Sequence, residues 1–102
     1  MLLPSTVTKQ PWEIIQYSVD VSRLIGDGTI SDMEVKVFTS TGTDVTTTML
    51  YAATYSGAIL KITLQNGTDG QWYNVRIRLT MDDGQRFEED FTLFVKEAFI
   101  AG

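Results

Sequence analysis

Alternation of apolar and polar residues is the dominant pattern along the chain, and it predicts β-strands. In residues 14–21, Ile15, Tyr17, Val19 and Val21 fall on one side with polar residues between them. Such period-two alternation indicates a strand with one buried face. Similar runs follow at 32–38, 58–65, 73–81 and 87–95. Because apolar residues nowhere recur at helical spacing over three turns, we expect an all-β chain.

Turn-forming residues separate these runs. Asn-Gly and Asp-Gly pairs supply the positive φ that tight turns need. The candidate structural turns are Gly26, Asp27, Gly28, Asn66, Gly67, Asp83 and Gly84. Residues 43–56, rich in Thr and Tyr, predict one or two shorter strands. The spacing favours an antiparallel, Ig-like β-sandwich of about six to eight strands.

The two ends of the chain fall outside this pattern. We expect residues 11–97 to form the sandwich domain, residues 1–10 a partly flexible N-terminal arm and residues 98–102 an apolar C-terminal tail. Apolar ends of this kind either fray or dock on a neighbouring subunit. The candidate contact residues there are Leu2, Leu3, Phe99 and Ile100.

Composition narrows the classes of function. The 102-residue chain has no Cys and no His, which removes disulfides, thiolate zinc sites and a Ser-His-Asp relay. Its net charge of −5 disfavours nucleic acid and anionic membranes as partners. The N-terminus lacks the basic start and apolar run of a signal peptide. We therefore expect no enzymatic activity, no cofactor and no export signal.

The stretch 24–35, LIGDGTISDMEV, raises the question of a ligand-binding loop. A phosphate loop leads into a helix, whereas this stretch runs into another alternating segment. A non-standard calcium site using Asp27 and Asp32 is an alternative, although the loop has little negative charge. The favoured interpretation is a turn between two half-buried strands, after which Ile30 returns to the core.

Two tryptophans are candidates for binding surfaces. Trp72 precedes an inward-facing Tyr73, so its side chain is expected to point outward on the same face as Arg76. The indole there could mark a protein interface, stack on a sugar, cover the apolar stem of Arg76, or make a cation–π contact with its guanidinium. Trp12 raises the same question of a protein interface or a sugar-binding surface. The sequence therefore predicts Trp12, Trp72 and Arg76 as interaction residues.

The sequence pattern over most of residues 9–97 resembles that of a known family. It comprises Lys9, Asp20, Ser22, Leu24, Gly26, Asp27, Ile30, Ser31, Gly67, Gly70, Tyr73, Gly84, Arg86, Glu88 and Val95. The pattern is similar to small tailed-phage and prophage structural proteins of the fiber–tail adaptor type. Two positions depart from it: Val21 stands where the family often has an aromatic residue, and Gly28 lengthens the turn.

This resemblance implies a function. It implies a non-enzymatic virion structural or assembly protein of a tailed phage or prophage, acting at the tail, neck or fiber junction. Its expected partners are other virion proteins and further copies of itself, with no nucleic acid and no membrane. Its expected location is the virion, or the host cytoplasm during assembly. The alternative is a carbohydrate-binding or surface-adhesion β-sandwich module.

Overall fold

The computed structural model describes residues 5–97, which form seven strands and two one-turn helices. The strands are β1 Thr6–Lys9, β2 Ile15–Asp20, β3 Ile30–Thr39, β4 Leu50–Ser56, β5 Ile59–Leu64, β6 Gln71–Met81 and β7 Arg86–Val95. The helices are α1 Ser22–Ile25 and α2 Thr46–Met49.

The strands form two sheets. One sheet has the order β1-β7-β6-β3, and the other has the order β2-β5-β4. Neighbouring strands are antiparallel except β1 and β7, which are parallel. The predicted all-β sandwich is therefore confirmed.

The narrower Ig-like assignment stays a prediction, although two features are compatible with it. Strands two, four and five share one sheet, and strands three, six and seven share the other, as in constant-type Ig domains. In addition, the Tyr73 hydroxyl near the start of β6 accepts a hydrogen bond from the Thr68 N–H at 2.9 Å. Ig sandwiches have a tyrosine corner of this kind.

The core lies between the sheets and consists of the residues that the alternation placed inward. Fully or almost fully buried are Val19, Val21, Val35, Val37, Leu60, Ile62, Leu64, Tyr73, Val75, Ile77, Leu79, Met81, Phe91, Leu93 and Val95. Ile30, after the Gly-Asp-Gly turn, is buried as predicted. Both sheets contribute to one continuous hydrophobic cluster. The apolar residues of each alternating run therefore form the buried inner face of a sheet.

The predicted turns take two different forms. Asp83-Gly84 closes the β6–β7 hairpin, where the Met81 N–H donates to the Gln85 carbonyl at 2.8 Å. Asn66-Gly67 instead connects the two sheets, and both residues have positive φ, 59° and 100°. Gly26–Gly28 also connects the sheets, because β2 and β3 belong to different ones.

The N-terminal segment differs from the expected arm. Thr6–Lys9 is a strand, and it joins the four-stranded sheet beside β7. Val7 packs against the core and Lys9 is buried. Four residues are too few for alternation to indicate a strand, so only pairing with β7 reveals it. Residues 1–4 and 98–102, with Leu2, Leu3, Phe99 and Ile100, lie outside the described residues.

The one-turn helices also could not be predicted from hydrophobic periodicity, because each has only four residues. Each follows an aspartate that binds its first N–H: Asp20 Oδ1 accepts from Ser22, and Asp44 Oδ1 accepts from Thr46, both at 2.9 Å. The bond from the Ser22 N–H lowers the pKa of Asp20. The pKa of Asp44 is lowered first by a hydrogen bond from the Thr46 hydroxyl, at 2.6 Å, and then by the bond from the Thr46 N–H. Local side-chain hydrogen bonds of this kind favour turns over strands.

Candidate interaction surfaces

The outer side of β3, β6 and β7 is a face with charges of both signs, here called the charged face. Residues that alternate with the core residues point outward and align in register across the three strands. One row pairs Glu34 with Arg78 and Arg78 with Glu88, and the next pairs Lys36 with Arg76 and Arg76 with Asp90. A third row ends in Asp32 and Arg86.

Glu88 links the two arginines of β6. Arg78 Nε donates to Glu88 Oε1 at 2.6 Å, and Arg76 Nε lies 3.9 Å from the same oxygen. The hydrogen bond from Arg78 lowers the pKa of Glu88 and raises that of Arg78. Because this pair is exposed to solvent, it adds little to folding stability. It orients the side chains of the charged face instead.

Arg76 and Trp72 lie on this face as predicted, but they contact other partners. The Arg76 guanidinium lies 4.8 Å from the centre of the Phe38 ring, and the Trp72 ring stacks on Phe94 at 4.4 Å. Residues four apart on a strand are about 13 Å apart, whereas cross-strand neighbours are about 5 Å apart. Arg76 and Trp72 therefore contact aromatic residues on the neighbouring strands, Phe38 on β3 and Phe94 on β7, instead of each other. Trp72 remains 46% exposed.

An open groove of about 460 Å³ lies at the hairpin end of the charged face. It is lined by Asp32, Glu34, Arg78, Leu79, Thr80, Arg86, Phe87 and Glu88. Carboxylates and guanidinium groups lie side by side, with Phe87 supplying apolar surface. Such a lining can pair with a partner surface that has both charge signs.

Trp12 lies at one end of the sandwich, in the turn between β1 and β2. It is 92% exposed, and the nearby Ile14 is 57% exposed. The turn is hydrogen-bonded internally: the Glu13 N–H donates to the Gln10 carbonyl at 3.1 Å. An aromatic residue thus projects from an ordered turn.

The Gly26-Asp27-Gly28 turn lies at the opposite end and forms one wall of a cleft, here called the end cleft. The other wall comes from the β4–β5 hairpin, and the cleft volume is about 310 Å³. The lining residues are Ile25, Gly26, Asp27, Gly28, Thr29, Ile30, Tyr55, Gly57 and Ala58. Sequence reasoning missed the Tyr55 wall, because no local pattern links it to residues about 30 positions away.

The alternative of a calcium site gains no geometric support. Asp32 lines the groove on the charged face, whereas Asp27 lines the end cleft. Among residues 5–97, no three or more acidic side chains come together in a way that could hold a metal ion. Nor does any helix in that range have the length and apolar character needed to cross a membrane.

Comparison with known proteins identifies the family. No curated protein matches the chain. A family model described as podophage GP4 fiber-tail adaptor protein gp77 matches residues 9–94, which cover nearly all of the sandwich. This match confirms the resemblance found in the sequence. The chain belongs to the podophage GP4 fiber-tail adaptor protein gp77 family.

Proposed function

We propose that the chain is a non-enzymatic structural adaptor at the junction of tail and fiber in a phage virion, acting through protein–protein contacts. The observation that carries this proposal is the family match over residues 9–94. The match spans the scaffold as a whole, so it supports a structural role in the phage tail. Other virion proteins are the proposed partners, and the proposed working form is a homo-oligomer within the virion.

The charged face is the proposed contact surface for another virion protein. Charge rows in register favour one docking orientation, because a shifted partner would meet like charges. Trp72, stacked on Phe94 at one end of the face, provides an ordered aromatic anchor. Tryptophan and arginine are the residue types that most often dominate binding energy at interfaces.

The apolar residues at the chain ends are a further part of this proposal. Leu2, Leu3, Phe99 and Ile100 are proposed to contact neighbouring subunits. Because Thr6–Lys9 belongs to the sheet, a deletion that tests these contacts should remove only residues 1–4 or 98–102. We expect each truncated chain to fold, as circular dichroism can establish, and to assemble less well by light scattering. Unchanged assembly would contradict the proposed contacts.

The adaptor function can be tested in the phage or prophage genome that encodes the chain. Deleting the gene should give particles that lack fibers in electron micrographs, and wild-type protein supplied from a plasmid should restore them. Trp72→Ala with Arg78→Glu should restore few fibers. The control Lys61→Glu changes an exposed charge on β5, in the opposite sheet, and should restore them fully. Fibered particles without the gene would contradict the adaptor function.

The alternative, a carbohydrate-binding module, makes a different prediction. A glycan array should then give hits that Trp72→Ala removes, while particle assembly does not depend on the gene. An array without hits, together with fiber loss on deletion, would favour the adaptor.

A further inference from the structure

We propose that the Trp12 turn of one copy docks in the end cleft of a second copy, so that copies join head to tail. The Trp12 turn comprises residues 10–14, and the end cleft is the cleft between the Gly26–Gly28 turn and the β4–β5 hairpin. The proposal rests on the proposed homo-oligomeric adaptor and names the surfaces through which its copies would meet.

The Trp12 turn is ordered before any partner binds. The Lys9 ammonium lies beneath it and donates to the Gln10 carbonyl at 2.6 Å and the Pro11 carbonyl at 3.3 Å. Glu13 Oε1 accepts the Gln10 N–H at 2.7 Å. Lys9 is only 1% exposed, and burying a lysine is costly unless its ammonium is hydrogen-bonded. These bonds therefore fix the turn and satisfy the ammonium together.

What this fixed turn presents to solvent is apolar. Trp12 and Ile14 are the exposed side chains, and the indole N–H of Trp12 has no acceptor among residues 5–97. An aromatic side chain on a pre-ordered turn loses little conformational entropy on binding. A complete binding site for it would offer apolar walls and one hydrogen-bond acceptor.

The end cleft has these properties. Ile25, Tyr55 and Ala58 supply apolar surface, and its glycines leave the backbone accessible. A volume of about 310 Å³ is at the lower limit of pockets that hold small aromatic groups. Asp27 is the only charged side chain in the lining, and it has no partner within residues 5–97. Its carboxylate can accept the indole N–H.

The positions of turn and cleft determine the kind of contact. Strand β2 begins directly after the Trp12 turn and ends just before α1, which leads into the cleft. Its six residues span about 20 Å, so turn and cleft lie at opposite ends of the sandwich. A contact between two different patches is heterologous, and it generates a ring or a filament instead of a closed dimer.

Two single variants and their mixture test this arrangement. Trp12→Ala removes the docking side chain but keeps the cleft, whereas Asp27→Arg fills the cleft but keeps Trp12. By analytical ultracentrifugation over a concentration series, wild type should form oligomers larger than a dimer. Each variant alone should be monomeric, with association weakened about 30-fold or more. Their equimolar mixture should form a one-to-one dimer, because a single intact interface remains.

Tyr51→Ala is the matched control, since it removes an exposed aromatic side chain of β4 that belongs neither to the Trp12 turn nor to the lining of the end cleft, and it should assemble like wild type. A Trp72→Phe protein leaves Trp12 as the fluorophore, and its emission should shift to shorter wavelength as concentration promotes assembly. An unshifted emission in the assembled protein would overturn the proposal. So would a monomeric wild type, a Trp12→Ala variant that assembles normally, or a mixture that stays monomeric.

These outcomes separate this proposal from the adaptor function. A wild-type chain that is monomeric in solution yet restores fibers to particles would overturn head-to-tail docking and leave the adaptor function standing. Fibered particles without the gene would instead contradict the adaptor function itself.

Discussion

Glycines and charged residues occur in the turns at both ends of the sandwich, but their surroundings differ. At the Trp12 end, Gly67 is enclosed: a Cβ added there would lie 2.7 Å from Val95 Cγ2. At the cleft end, a Cβ on Gly26, Gly57 or Gly84 would meet nothing within 4 Å, whereas one on Gly28 would lie 2.9 Å from Met81 Cε. Gly42 and Gly70, at the Trp12 end, are also open. The buried ammonium of Lys9 supports the first end, whereas the second presents Asp27, which has no partner among residues 5–97.

This contrast separates two roles of turn residues. At the Trp12 end, packing encloses Gly67 and hydrogen bonds from Lys9 hold the Trp12 turn, so substitutions at Gly67 and Lys9 should affect folding. At the cleft end, Gly26, Gly57 and Gly84 are constrained by their positive φ without close packing, and the Asp27 side chain remains available for contacts. Four substitutions test the difference, in order of decreasing expected effect.

Replacing Lys9 should have the largest effect. Lys9→Ala removes a buried alkyl chain and leaves the Gln10 and Pro11 carbonyls without their donor. We expect the free energy of unfolding to fall by about 2–4 kcal/mol in urea titrations. The exposed Lys61→Ala should change it by less than about 0.5 kcal/mol. Equal effects of the two variants would remove the distinction between a supporting and a surface lysine.

Gly67 should be the next most sensitive position. Gly67→Ala combines positive φ with a clash against Val95, and we expect a loss of about 2–3 kcal/mol. Gly84→Ala has positive φ but open space, so about 1 kcal/mol should be lost. Thermal unfolding of both variants measures the difference. If Gly84→Ala costs as much as Gly67→Ala, the contact with Val95 adds nothing to the cost of positive φ at Gly67.

The Trp12 end should also show a pH dependence at high pH. The Tyr17 hydroxyl donates to the Thr8 carbonyl at 3.3 Å, and burial raises its pKa from 10.0 to about 12. The folded state therefore keeps this proton where the unfolded state releases it. This contribution is fully present below pH 10 and is lost as pH rises towards about 12.

Tyr17→Phe isolates this contribution. Between pH 10 and 12, the variant should lose stability less steeply than wild type in urea titrations. Burial lowers the pKa of Lys9, so its own contribution rises as pH approaches 10.5. Because Lys9 is present in both proteins, its pH-dependent contribution to stability largely cancels when the two profiles are compared. Parallel stability profiles would show that Tyr17 is not protonated preferentially in the folded state.

The smallest effect should come from the cleft end. Asp27→Ala removes a side chain without a partner among residues 5–97, so we expect a change within about 0.5 kcal/mol. Asp83→Ala, in the β6–β7 hairpin, loses the bond from the Gln85 N–H at 3.0 Å and should cost about 1 kcal/mol. Urea titrations of the two variants measure the difference between these losses of stability. A larger loss at Asp27 would indicate a structural contact in the end cleft.

The candidate surfaces were predictable only in part. Alternation placed Trp72 and Arg76 outward, and exposure of Trp72 agrees with this. It did not identify Phe94 and Phe38 as their contacts, because those residues belong to other strands. Trp12 was a candidate by residue type alone. The buried Lys9 that orders its turn was found only in the structure.

The sequence by itself determined which residues face the core, since a strand has a two-residue period and the buried positions repeat it from Val19 to Val95. It also determined the turn positions through glycine and asparagine. Only the tertiary structure decided that β1 joins the sheet and that Tyr55 faces the Gly26–Gly28 turn. Those contacts depend on strand order and register, which local sequence patterns do not encode.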